Sequence, residues 1–175
     1  MKTMEKHLEK LLDEKRRQSA TDRSKLEARK ADWLSRISKL YDQIEEWLQP
    51  LVEKKHIDPP SRQRYEIREQ LLGTYPSEKL TIRFYNGKII ELLPQGLHIA
   101  GANGRIDMDM GGYLVTILGR EDGSGWDFIE ALGGRPIGGV AVRGRYLPSS
   151  RPGQELLPFT RENFEGLLAK FVEGF

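Results

Sequence analysis

Only one group in the 175-residue chain sets a histidine and carboxylates on one prospective surface: His98, Arg105, Asp107 and Asp109. A histidine beside two aspartates is a donor set for a divalent metal, and a histidine oriented by one carboxylate is a general base. The quartet would therefore suit metal-dependent hydrolysis. The same alternation of polar residues is also what the wet face of a half-buried hairpin requires. Gly101-Ala102-Asn103-Gly104-Arg105 has the glycines of a phosphate loop, but it lacks the Gly-Lys-Ser/Thr ending and no helix follows it. It reads as a hairpin corner. No Ser/His/Asp arrangement, His-Glu-x-x-His run or nucleotide fingerprint stands in the chain, and there is no cysteine. Thiol catalysis, disulfide frameworks and cysteine-based zinc modules are thereby removed. The spacing assigns no catalytic residue, metal or cofactor, and the chain reads as non-enzymatic.

A second chemistry lies near the N-terminus. Lys15, Arg16, Arg17, Arg23, Lys25, Arg29 and Lys30 outnumber Asp22 and Glu27 by seven to two. Such a stretch can contact phosphates and makes nucleic acid the alternative partner. A solvated helix face has the same composition, and no aromatic residue is interleaved to stack on bases.

A third signal is apolar. Leu26, Trp33, Leu40 and Trp47 recur every seven residues, and Ile37, Ile44 and Leu51 fill a second row four residues later. This is an amphipathic helical seam. A helix with such a stripe must bury it against its own domain, a second copy or another protein. Leu26, Trp33, Ile37, Leu40, Ile44 and Trp47 are the expected interface, coiled-coil-like, with self-association ahead of heteromeric docking. Met4, Leu8, Leu11 and Leu12 form a shorter stripe upstream.

The elements that must hold these residues divide into two kinds. Residues 1–72 contain no glycine, whereas 16 of the 18 glycines lie between Gly73 and Gly153, so a helical part precedes a turn-rich β part. The helical part is one helix of about 48 residues, roughly 72 Å long, or two helices with Thr21 as an N-cap. Pro50 and Asp58-Pro59-Pro60 end it near Gln49 or just past Glu53. Residues 1–56 form the arm, 57–79 a linker with a short element, and 80–175 a β-rich domain.

Three turn dipeptides mark an antiparallel meander. Asn86-Gly87 would pair Phe84 with Ile89 and Ile82 with Glu91. Asn103-Gly104 would pair Ala100 with Asp107 and His98 with Asp109. Gly111-Gly112 would pair Met110 with Tyr113, Met108 with Val115 and Ile106 with Ile117. Trp126 to Ile129 and Gly139 to Val142 are further apolar runs that would close a small barrel or form a second layer. Thr160 caps a last helix, Phe159 staples onto Phe164, and Phe164, Leu167, Leu168 and Phe171 form its buried stripe.

No segment approaches the roughly 18 apolar residues of a membrane span. Lysine and arginine total 28 against 26 acidic residues, a net charge of +2 too small to specify a partner alone. The whole reads as a cytoplasmic α+β protein: a long N-terminal amphipathic helix or helical hairpin, then an antiparallel β-meander or small barrel closed by a C-terminal helix. Its expected role is protein interaction or assembly, with no membrane partner.

Overall fold

The computed structural model describes residues 2–99, 101–130 and 156–174. Helix α1 (Lys2–Glu53) is followed by strands β1 (Ser61–Glu69), β2 (Gly73–Arg83), β3 (Ile89–Ile99), β4 (Ala102–Met110), β5 (Tyr113–Gly119), β6 (Trp126–Glu130) and β7 (Leu157–Pro158), then helix α2 (Arg161–Glu173). The chain falls into two compact units, Met1–Arg36 and Ile37–Phe175, whose division lies inside α1.

In the first unit α1 runs without a break through the polar stretch, which holds neither glycine nor proline. Thr21 is interior: its Oγ1 donates back to the Arg17 carbonyl at 3.0 Å, the bond of a mid-helix threonine and not of an N-cap. Glu27 and Lys30 pair at 2.8 Å, Asp32 and Arg36 at 3.0 Å. These add the modest support that neighbours one turn apart give a helix.

The second unit is built on an open seven-stranded antiparallel sheet in sequence order, β1 to β7. Among the described residues the sheet is open, with β1 and β7 as its two edges, so the expected small barrel is not supported. The linker expected over 57–79 is largely sheet: Ile57 bridges to Phe84, and β1 and β2 pair from Ser61↔Thr81 to Glu69↔Gly73. Charges hid this strand, since only Ile67 of β1 is buried. Residues Gly139 to Val142 lie outside the described part.

The registers decide which side chains share a face. Gly111 and Gly112, at φ 70° and 94°, make the two-residue corner, and Met110↔Tyr113, Met108↔Val115 and Ile106↔Ile117 pair as expected. The other two corners differ. At Asn86-Gly87 the loop is one residue longer: Gly87 N donates to Phe84 O, Phe84 N donates to Lys88 O, and Gly87 sits at φ 85°. This is a type I turn with a bulge, and it sets Ile82 opposite Ile90 where Glu91 was expected. The third reversal lies between Ile99 and Ala102, which pair, and leaves Asn103-Gly104 inside β4. The expected partners therefore separate: His98 stands opposite Asn103, and Asp109 opposite Glu91. The pairing expected at Ala100 lies outside the described residues.

With these registers Leu80, Leu92, Met108 and Val115 form one row across four strands, and Ile106, Ile117 and Phe128 another, all at most 2% exposed. The part of α1 from Ile37 onward covers this face. Tyr41, fully buried, donates its hydroxyl to the Glu78 carbonyl at 2.8 Å, and burial pushes the phenol well above its ordinary pKa. Arg62 of β1 grips the same helix, Nε and Nη2 reaching both oxygens of Glu45 at 2.9 and 3.0 Å and Nη2 reaching Asp42 at 2.6 Å. Helix α2 completes the cover with Phe164, Leu167, Leu168 and Phe171 buried. Thr160 accepts from Asn163 N, and Phe159 stacks on Phe164 with ring centroids 5.6 Å apart, as the sequence predicts.

Candidate functional site

The end of α1 is shaped by two residues of opposite fitness. Pro50 sits in the last turn, where its missing donor costs one bond. His56 N then donates to Leu51 O and Lys55 N to Val52 O, a Schellman closure that drives Lys55 to φ 61°. The chain turns sharply at this point, and the turn leaves space beside α2. An apolar cleft of about 520 Å³ opens there, walled by Trp47 and Leu51 of α1, Phe84 and Tyr85 of the β2–β3 corner, and Leu168 and Val172 of α2. Tyr85 and Val172 remain 78% and 59% exposed. Its charged rim is Arg161 and Glu165, paired at 2.9 Å, and Glu173. A concave apolar surface of this kind is the form that small-molecule and helix-binding sites take, and His56 also stands on its wall.

In the first unit the exposed apolar surface is on α1 itself. Met4, Leu8, Leu11 and Leu12 are 78%, 57%, 43% and 58% exposed. Their i, i+4, i+7, i+8 spacing puts them on one face.

The residues expected as an interface divide between the units. Ile37, Leu40 and Ile44 are 2%, 2% and 0% exposed within the single chain, so the sheet domain consumes them and they are not open to a second copy. Trp47 is half-buried, in ring contact with Phe159 and Phe164 at 5.9 and 5.7 Å, and fronts the cleft. Leu26 is half-buried, and the Trp33 ring is covered, with the Arg36 guanidinium 5.5 Å from its centre. Tyr41 and Leu48, both buried, complete the stripe; they fall outside the seven-residue rows but follow Ile37 and Ile44 by one helical turn. In the basic stretch Lys15, Arg16, Arg17, Arg23, Lys25 and Arg29 are exposed and Lys30 is half-buried against Glu27.

The polar quartet does not converge as expected. His98, opposite Asn103, shares a face with Arg105, Asp107 and Asp109, but Asp109 lies toward the other end of β4, opposite Glu91 and beside Gly112, whose N–H it accepts at 2.9 Å. That face is not wet either. Arg105, Thr116, Leu118 and Ile129 are all at most 4% exposed. Arg105 and Asp107 form a buried pair at 2.6 Å. Burial pushes the Asp107 carboxyl above its ordinary pKa, Arg105 pulls it back, and the charge of Asp109 raises it again. His98 Nε2 and Thr116 Oγ1 are buried without a hydrogen-bond partner among the described residues. No three histidine, aspartate or glutamate side chains among the described residues could hold a metal ion.

A second, polar concavity of about 430 Å³ lies beside Arg120 and Asp127, which pair at 2.8 Å and neutralise each other. Comparison with protein-family models, with characterised proteins and with solved structures finds no match. No helix among the described residues is long and apolar enough to cross a membrane.

Proposed function

We propose that this chain is a non-enzymatic assembly protein of the cytoplasm. Its N-terminal helical arm is the docking element and its sheet domain a binding module. The observation that supports this reading is the exposure of Met4, Leu8, Leu11 and Leu12 on one helix face. An isolated helix gains little from propensity, and an apolar stripe of this kind is held in place by packing. The expected stripe from Ile37 to Ile44 is spent inside the sheet domain, which leaves the upstream stripe as the surface free for a partner.

The test is light scattering on a sizing column together with a pull-down, on the parent chain and on the Leu8→Asp, Leu11→Asp variant. Both replaced side chains are exposed, so the fold is retained. The expected result is a parent assembly, above 20.1 kDa or with a bound protein, that the variant loses. A parent that runs at 20.1 kDa and a pull-down unchanged in the variant would remove the reading.

The exposure of six basic side chains between Lys15 and Arg29 supports a second reading, nucleic-acid binding. It requires affinity that falls steeply with salt and is lost when Arg16, Arg17, Arg23 and Arg29 are neutralised.

A further inference from the structure

The cleft of about 520 Å³ lies wholly within the second unit, and its rings are braced from behind. Trp47 packs on Phe159 and Phe164 at 5.9 and 5.7 Å, and Phe84 on Phe171 at 5.3 Å. Walls held in this way do not fold inward to close the space, so the concavity is preformed, and its volume falls within the roughly 300–1,000 Å³ of small-molecule sites. Size also argues against a protein occupant. Of the large apolar side chains on the wall only Tyr85 and Val172 are strongly exposed, and the outward side of α2 carries Arg161, Glu162, Glu165 and Lys170. That falls short of the apolar share of the roughly 800 Å² that each partner gives to a stable protein interface. A molecule small enough to sink between the rings needs no such surround.

Charge narrows the ligand further. Arg161 is the one permanent cation on the wall among the described residues, and Glu165 neutralises it at 2.9 Å. Glu173 adds a negative charge in the last turn of α2, and His56 a ring that can donate or accept a hydrogen bond. A carboxylate, sulfonate or phosphate would lose its hydration there and find no unpaired permanent cation. We propose that the cleft binds an uncharged, ring-containing small molecule, its apolar body among Trp47, Phe84 and Leu168 and its polar group toward His56 or Glu173. The inference is independent of the arm and gives the sheet domain a ligand of its own.

The probe is N-phenyl-1-naphthylamine, a neutral aromatic amine whose fluorescence rises in apolar surroundings. The expected result is a saturable rise with the parent chain and an equal one with Leu8→Asp, Leu11→Asp, which alters only the arm. Ala169→Trp, which fills the cleft from an exposed position, and Val172→Asp, which places a charge on its wall, should each abolish the rise. The anionic dye 1-anilinonaphthalene-8-sulfonate, built on the same rings, should bind the parent at least about tenfold more weakly. No saturable rise with the parent, or a rise that survives both Ala169→Trp and Val172→Asp, overturns the inference. A rise lost in Leu8→Asp, Leu11→Asp and kept in Val172→Asp puts the probe on the arm and overturns the cleft as its site. A sulfonate that binds as tightly as the neutral dye overturns the restriction to uncharged ligands. A parent that takes up no probe but captures a protein that Val172→Asp does not overturns the small molecule as occupant.

Discussion

Glu69 at the end of β1 lies directly over Gly96 of β3: a Cβ on the glycine would stand 2.9 Å from the carboxylate oxygen Oε1. The carboxylate is not free to retreat. Its Oε1 accepts from Leu97 N at 2.7 Å and His98 N at 2.9 Å, and Oε2 accepts from the Tyr75 hydroxyl. Gly96→Ala is therefore expected to lower stability by about 1–3 kcal/mol through overpacking. Glu69→Ala, which orphans two backbone donors, should cost about as much or more. Urea denaturation of the two variants and the double variant checks this. Sub-additive losses are expected, because the glycine matters only while Glu69 is present.

Lys55 occupies the left-handed position that closes α1, at φ 61°. Glycine adopts it without a Cβ penalty. Lys55→Gly should stabilise the chain by about 0.5–1 kcal/mol after the entropy lost from the unfolded state is counted. Thermal unfolding is the measurement, and an unchanged or lower midpoint would refute the assignment of strain here.

Arg62 holds Glu45 with two nitrogens and Asp42 with one. Lysine keeps the charge and loses the fork. Arg62→Lys is expected to cost about 1 kcal/mol, and Arg62→Ala somewhat more. A lysine variant as stable as the parent would show that charge alone ties β1 to the helix.

The buried Asp107 gives the chain a pH dependence of known sign. Its folded pKa is raised above the ordinary 3.8, so in the window from 3.8 up to that raised value the folded state binds more protons than the unfolded state. Stability contributed by this residue is then fully present below the ordinary value and is lost as pH rises through the folded one. Asp107→Asn removes that component. The measurement is the slope of unfolding free energy against pH from 3.5 upward, roughly the start of the carboxylate range, in parent and variant. Identical slopes would contradict the assignment.

The sequence revealed α1, α2 and the Gly111-Gly112 hairpin because each is specified locally. Two adjacent glycines at positive φ fit one tight corner, and Thr160 with Phe159 and Phe164 is a complete N-terminal signature. Errors arose where a turn dipeptide has more than one use. Asn103-Gly104 resembles a corner but lies inside β4, with Gly104 at φ 104°. The bulge between Pro94 and Gly96 then put Leu93 and Glu91 on the face of Asp107, since a one-residue shift moves a strand's side chains to the other face. The cleft could not be read at all. Leu51, Phe84 and Leu168 meet across more than a hundred residues of chain, and no local pattern encodes that meeting. The stripe on α1 was visible, but its destination depended on whether a sheet face was available to receive it.

The open edge at β1 also bears on how the protein survives at high concentration. Among the described residues the nine of this strand are paired on one side only, the template on which foreign strands add and fibrils begin. Arg62, Arg64, Glu66 and Arg68 occupy every second position along it. Any strand laid alongside would have to accommodate that charged row. The charges that concealed β1 from sequence reading are thus also a guard against aggregation.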